Sequence, residues 1–176
     1  MSSVLDSQRI AAVVDAIGDR LDGEWLLIGG GLVALWLDGR RTTEDVDVVG
    51  LRGTAEERFA LMQLAEELGL PVESVNSAAD FFVRRIEGWR DEIRVLCRGA
   101  RSTIYRPTTT LFVLLKLRRL SALDLLDCEA ALSRSEDAVD RARLLEALAA
   151  LPETDDTALA GRRQRLREVI AGPSEA

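Results

Sequence analysis

The sequence predicts an α+β fold, a mixed β-sheet flanked by helices and followed by a C-terminal helical subdomain. Three observations carry this prediction. Short apolar runs of strand length alternate with amphipathic helical stretches over the first hundred residues. From Thr108 onward only helical periodicity remains. The composition, 47% hydrophobic and 30% charged, is that of a chain able to bury a core. A length of 176 residues suits one domain of roughly 100–200 residues with a helical appendage. The boundary is placed between an α/β core at 1–106 and a helical region at 107–176 packed on it.

In chain order, residues 5–22 set Leu5, Ile10, Val13, Val14, Ile17 and Leu21 at helical spacing, with Gly23 as the stop. Trp25–Ile28 is a short buried strand that runs into Gly29-Gly30-Gly31, and Leu32–Leu37 is a helix closed by Asp38-Gly39. A polar loop, 40–44, leads to Asp45-Val46-Asp47-Val48-Val49, whose alternation is that of a strand with both aspartates on one face. Residues 54–69 form a helix with Thr54 and Glu57 as a capping box. Strands follow at Val72–Val75, Phe81–Ile86 and Glu92–Cys97, the last two joined as a hairpin. Helices are predicted over 111–120, 123–132, 137–151 and 157–170, and Gly172-Pro173-Ser174-Glu175-Ala176 reads as a frayed tail. Trp25, Trp36 and Trp89 are expected in the core.

Composition excludes several chemistries. There is no histidine, so Ser-His and Cys-His nucleophile pairs and histidine metal sites are ruled out, and any metal must sit on oxygen ligands. Cys97 and Cys128 lie in apolar runs and read as structural thiols. No signal-peptide pattern and no run of about 20 apolar residues is present, so the expectation is a cytoplasmic protein without membrane contact. A net charge of −7 disfavours wholesale nucleic-acid binding and leaves room for a local basic surface. The run Arg162–Arg167 reads as a solvated helix face, as do Arg118, Arg119, Asp124 and Asp127.

The unit that carries chemistry is Gly29-Gly30-Gly31, an intervening helix, and then Arg41-x-Thr43-x-Asp45-x-Asp47. Glycines let backbone amides approach an anion closely, and a helix beginning beside them offers its positive end to phosphates. Two aspartates at i, i+2 on a strand present two hard oxygen ligands to one Mg²⁺.

This order and spacing resemble the DNA polymerase beta-like nucleotidyltransferase superfamily, in which a strand, a glycine pair, a helix and Asp-x-Asp on the next strand follow one another. The stretch IGGGLVALWLDGRRTTEDVDVV is similar, more narrowly, to the small prokaryotic branch typified by AbiEii-type toxins, which carry an arginine and a threonine ahead of the acidic pair. TTLFVLLKLRRLSALDLLDCEAAL resembles the same branch through Lys116, Asp124 and Asp127. The resemblance implies a minimal nucleotidyltransferase fold.

It further implies Mg²⁺ or Mn²⁺ on Asp45 and Asp47, and a nucleoside triphosphate held by Gly29, Gly30, Gly31, Arg41, Thr43 and Lys116. A third catalytic acid is implied on a later strand. There Arg94 stands where the acid is expected, and Glu92, two residues away on the same strand face, or Asp91 at the adjacent turn takes that role. The implied activity is transfer of NMP from an NTP to an RNA or protein acceptor, in a toxin–antitoxin or phage-defence setting with a cognate partner. Two alternatives stand beside it: a degenerate member that binds nucleotide or a protein partner without turnover, and a small-molecule adenylyltransferase of the antibiotic-modifying kind.

Overall fold

The computed structural model describes residues 4–76 and 80–172, and the chain divides into two compact units, Met1–Pro107 and Thr108–Ala176. The tail beyond Gly172 lies outside the described residues. The first unit is α+β. It runs α1 (Ser7–Arg20), β1 (Gly23–Ile28), α2 (Gly29–Trp36), β2 (Val46–Gly50), α3 (Ala55–Glu67), β3 (Val75–Asn76), α4 (Asp80–Arg84), β4 (Ile93–Arg98) and β5 (Ser102–Pro107). The strands form one mixed sheet in the order β3-β2-β1-β5-β4. β1 is antiparallel to β2 and parallel to β5, β2 is parallel to β3, and β4 is antiparallel to β5.

Ladder partners project to the same face of a sheet, so the register sorts the side chains. One face carries Trp25, Leu27, Val48, Ile104 and Arg106, and the other carries Leu26, Ile28, Asp47, Val49 and Tyr105. The first is the face of α1 and α2: the Ser102 hydroxyl donates to the Ile17 carbonyl at 3.2 Å, and Gly31 lies against Ile10 and Val46. Ile10, Ile17, Trp25, Leu26, Leu27 and Leu32 are fully buried. Each such aliphatic side chain contributes about 1.5–3 kcal/mol by leaving water.

The helix ends follow from local chemistry. Asp6 caps α1 by accepting from the Arg9 amide at 2.9 Å. Thr54 and Glu57 form the predicted capping box of α3; the buried Glu57 carboxylate also accepts from the Arg52 amide and side chain. The turn between β4 and β5 docks on the end of α1, where the Arg101 amide donates to Gly18 O and Asp19 accepts from the Ala100 amide. A Cβ on Gly99 would fall within the backbone of Gly18. Gly99→Ala is therefore expected to cost at least about 2 kcal/mol, because neither backbone can yield; a urea melt showing under about 0.5 kcal/mol would contradict this packing.

Four expectations are corrected. Phe81–Ile86 is not a strand, since Asp80–Arg84 is helical; Arg84 is anchored to Gly50 O at 2.9 Å and Arg90 to Leu51 O at 2.7 Å, capping carbonyls at the end of β2. The hairpin is instead β4–β5, with Ser102–Pro107 as an additional strand. Val72–Ser74 is a 3-10 turn, and of that predicted strand Val75 alone pairs with β2, followed by Asn76. Trp25 and Trp89 are buried as expected, whereas Trp36 is half-buried with the Arg106 guanidinium over its ring.

The second unit is helical, with α5 (Thr109–Lys116), α6 (Ala122–Arg134), α7 (Arg141–Ala149) and α8 (Thr157–Ala171). Thr108, Ser121, Asp140 and Asp156 cap them in turn. Leu111, Leu117, Cys128, Leu144, Leu148, Leu166 and Ile170 are buried. Asp124 and Asp127, expected on the surface, are buried and share Lys116: its ammonium lies 2.9 Å from a carboxylate oxygen of each. Burial pushes the Cys128 thiol up to about 12, and it raises the half-buried Cys97 as well. A thiol reagent is expected to label Cys97 in the native protein and Cys128 only on unfolding; equal rates in the native state would contradict the burial of Cys128. Among the described residues, no helix is long and apolar enough to cross a membrane.

Candidate active site

The corner where β1 becomes α2 brings the glycines and the acidic strand together. Ile28, the last residue of β1, pairs with Asp47 on β2. The chain then turns through Gly29 at φ +70°, a left-handed conformation that disfavours a side chain. A Cβ on Gly29 would lie 3.2 Å from Asp47 Cγ and inside contact distance of its Oδ2. One on Gly30 would lie 2.8 Å from the Thr43 hydroxyl oxygen. Gly31 differs, since its missing side chain faces Ile10 and Val46 at ordinary contact distances. Gly29 and Gly30 therefore shape the site, and Gly31 packs the core beneath it.

Thr43 is held by a backbone bridge to Leu5, with Leu5 N donating to Thr43 O at 2.7 Å and Thr43 N donating to Leu5 O at 3.1 Å. Its hydroxyl donates to Asp45 Oδ1 at 3.1 Å. Asp45 sits one residue before β2, a small correction to the predicted strand start. Asp45 and Asp47 are half-buried and alternate with buried Val46 and Val48, so both carboxylates are on one side of the segment. Ile28, at the N-cap of α2, supplies no side-chain hydrogen bond to the helix. Its first amides thus leave a partial positive charge beside the carboxylates. Arg41 is half-buried in the turn after α2, where its amide donates to Asp38 O at 2.9 Å.

Gly29→Ala combines backbone strain of about 1–2 kcal/mol with displacement of Asp47. It is expected to lower stability by that amount and to remove any cation dependence of ligand binding, whereas Gly31→Ala should leave binding intact. A thermal melt and a binding titration of the two variants check this contrast.

Within the first unit, Glu92 is not brought to this corner. Glu92 ends a 3-10 turn, Trp89–Glu92, that leads into β4. β1 and β5 separate β4 from β2, so its neighbour Ile93 lies three strand spacings from Asp47, about 14 Å. Arg94 pairs with Arg106 and projects from the face opposite Asp47, its side chain donating to Asp91 O and Ile93 O. Lys116 belongs to the helical unit, where it binds Asp124 and Asp127. Among the described residues, no group of three or more acidic, cysteine or histidine side chains is placed to hold a metal ion. Sequence reasoning missed Leu5, which fixes Thr43 from 38 residues away; only its apolar character beside the capping Asp6 hinted at a packed role.

Comparison with known proteins adds no relative: no protein-family model, no curated protein and no solved structure matches the chain.

Proposed function

We propose that this corner binds a nucleoside triphosphate with Mg²⁺ and transfers its nucleoside monophosphate to a hydroxyl of an RNA or protein acceptor. The observation that carries the reading is the contact of Gly29 with Asp47 at the N-terminus of α2, which sets a helix start and two carboxylates at one point. The donor set fits Mg²⁺ or Mn²⁺ in one specific way. Mg²⁺ is commonly held by one or two carboxylates together with substrate phosphates and water, and Asp45 and Asp47 are two such ligands. Bound there, the ion would neutralise phosphate charge as pyrophosphate departs.

The chain's own groups supply the rest. Amides at the start of α2, exposed by the absence of Cβ atoms on Gly29 and Gly30, donate to phosphate oxygens. Thr43 orients Asp45 through its hydroxyl, and Arg41, from the adjoining turn, offsets charge that develops on the phosphates. The acceptor oxygen forms a bond to the α-phosphorus as the bond to pyrophosphate breaks, and the hydroxyl proton leaves to solvent or to a carboxylate of the pair. The setting implied by the resemblance is a toxin–antitoxin or phage-defence system.

A second reading has its own support: Glu92 adjoins β4, which two strands separate from β2, Arg94 is on the opposite face, and among the described residues no third acid groups with the pair. In that reading the protein binds nucleotide or a protein partner without turnover. Purified protein incubated with each α-labelled NTP, Mg²⁺ and total cellular RNA and protein separates the two. Labelled acceptor with pyrophosphate release supports transfer; nucleotide binding without pyrophosphate supports the second reading; neither defeats both.

A further inference from the structure

We propose that the outward face of α6 packs antiparallel against the same face of a second copy of this chain, forming a concentration-dependent homodimer. This dimer does not depend on the nucleotide reading above. α6 inverts the usual amphipathic pattern, in which charged side chains meet water and apolar ones meet the core. Asp124 and Asp127 are buried, whereas Leu123 is 47% and Leu126 59% exposed.

The inward half of the inversion has its cause within the helical unit. Lys116 lies 2.9 Å from a carboxylate oxygen of each aspartate, and Arg119 holds Asp124 at 2.8 Å, so two acids meet two bases. The outward half has no such cause. Single leucines on a surface are ordinary. Here, however, the exposed positions from Ala122 to Ser133 are Ala122, Leu123, Leu126 and Ser133, and none is charged. Leu123, Leu126, half-buried Ala130 and Ser133 follow at steps of three, four and three residues, the spacing of the seam between two paired helices.

The order of residues along this seam selects the occupant. Its N-terminal half is large, Leu123 and Leu126, and its C-terminal half is small, Ala130 and Ser133. Two copies side by side in the same direction set leucine on leucine and leave a gap between the small residues. Run antiparallel, they set Leu123 opposite Ser133 and Leu126 opposite Ala130 of the other copy, large against small along the whole seam. A face that complements itself is the mark of a two-fold pair.

The charges at the two ends fit the same register. Arg118 and Arg119 precede α6, and Glu136 and Asp137 follow it. Continuing the pairing beyond the helix sets the two arginines of one copy beside the two acids of the other, on both sides of the dimer. Arg134 falls opposite Ala122, clear of the arginines. Arg118 and Glu136 are both exposed. Antiparallel packing also places the negative end of each helix dipole beside the positive end of the other. From Leu123 to Ser133 the seam is only about 15 Å long. That is short for an interface of roughly 1,600 Å², the size of a stable complex, so the dimer dissociates on dilution.

The test is sedimentation of the full-length protein at low salt over a range of concentrations. The weight-average mass should climb from the monomer value of 19.3 kDa toward twice that, between about 5 and 500 µM for so small an interface. Leu123→Gln with Leu126→Gln should remain monomeric throughout, with an unchanged thermal midpoint in dilute solution, because both positions are exposed. Arg118→Glu should weaken association about fivefold or more, since symmetry repeats the new repulsion twice. Adding Glu136→Arg should restore it. A wild-type chain that stays monomeric at every concentration would overturn the proposal, as would a dimer that survives in the glutamine variant and so uses another face. Failure of Glu136→Arg to rescue Arg118→Glu would overturn the antiparallel pairing.

Discussion

Lys116→Met is expected to destabilise the helical unit by about 3–5 kcal/mol, the cost of breaking a buried ion pair by removing one partner. Lys116 is shared by two buried carboxylates, Asp124 and Asp127, each 2.9 Å from its ammonium. It closes α5 onto α6 across the turn at 117–121. Arg119 grips Asp124 through two further bonds of 2.8 Å, and the Ser121 hydroxyl and amide donate to the same carboxylate. With the lysine gone, two acids stay buried without the cation they share.

The same cluster sets a pH dependence. Burial alone would raise the Asp124 pKa, but the bonds from Arg119, Lys116 and Ser121 outweigh it and hold the carboxyl well below the usual range. A depressed folded-state pKa stabilises above the unfolded value, near 3.9 for aspartate, and that contribution is lost as pH falls through the folded value. Urea melts followed by helical circular dichroism should therefore weaken steadily below about pH 4. Lys116→Met should show a shallower decline. A loss under about 1 kcal/mol at neutral pH, with no change in acid response, would contradict the cluster's structural role.

The second large effect concerns chemistry. Asp45→Asn with Asp47→Asn is expected to lower nucleotidyl transfer by about a thousandfold or more, since removing a single preorganised charge-stabilising group already costs about 10²–10³. The substitution is nearly isosteric at half-buried positions, so the melt should change little. Thr43→Val acts one step back, through Asp45, and should cost about 10–100-fold.

What the sequence made legible was local. The step from β1 through the glycines into α2, the capping box at Thr54 and Glu57, and the alternation around Asp45 and Asp47 all depend on residues within a few positions of each other. Tertiary placement was not legible. Phe81-Phe82-Val83-Arg84-Arg85-Ile86 has strand-like composition, yet Arg84 finds β2 carbonyls and the segment folds as a short helix. Ser102–Pro107 gives no apolar alternation, because Ile104 is its one aliphatic residue and its place between β1 and β4 comes from backbone pairing. Glu92 stands two residues from Arg94 in the expected strand, and the strand order that separates it from Asp47 is not written in local pattern. Asp124 and Asp127 at i, i+3 spacing look like a solvated face until α5 turns back and supplies Lys116.

Equilibrium binding of a labelled NTP, with and without Mg²⁺, to the wild-type and Asp45→Asn, Asp47→Asn proteins tests the proposed site most directly. Mg²⁺-dependent binding is expected in the wild type, with its loss in the variant while the fold is retained. Absence of binding to any nucleotide, or binding indifferent to both Mg²⁺ and the two aspartates, would contradict it.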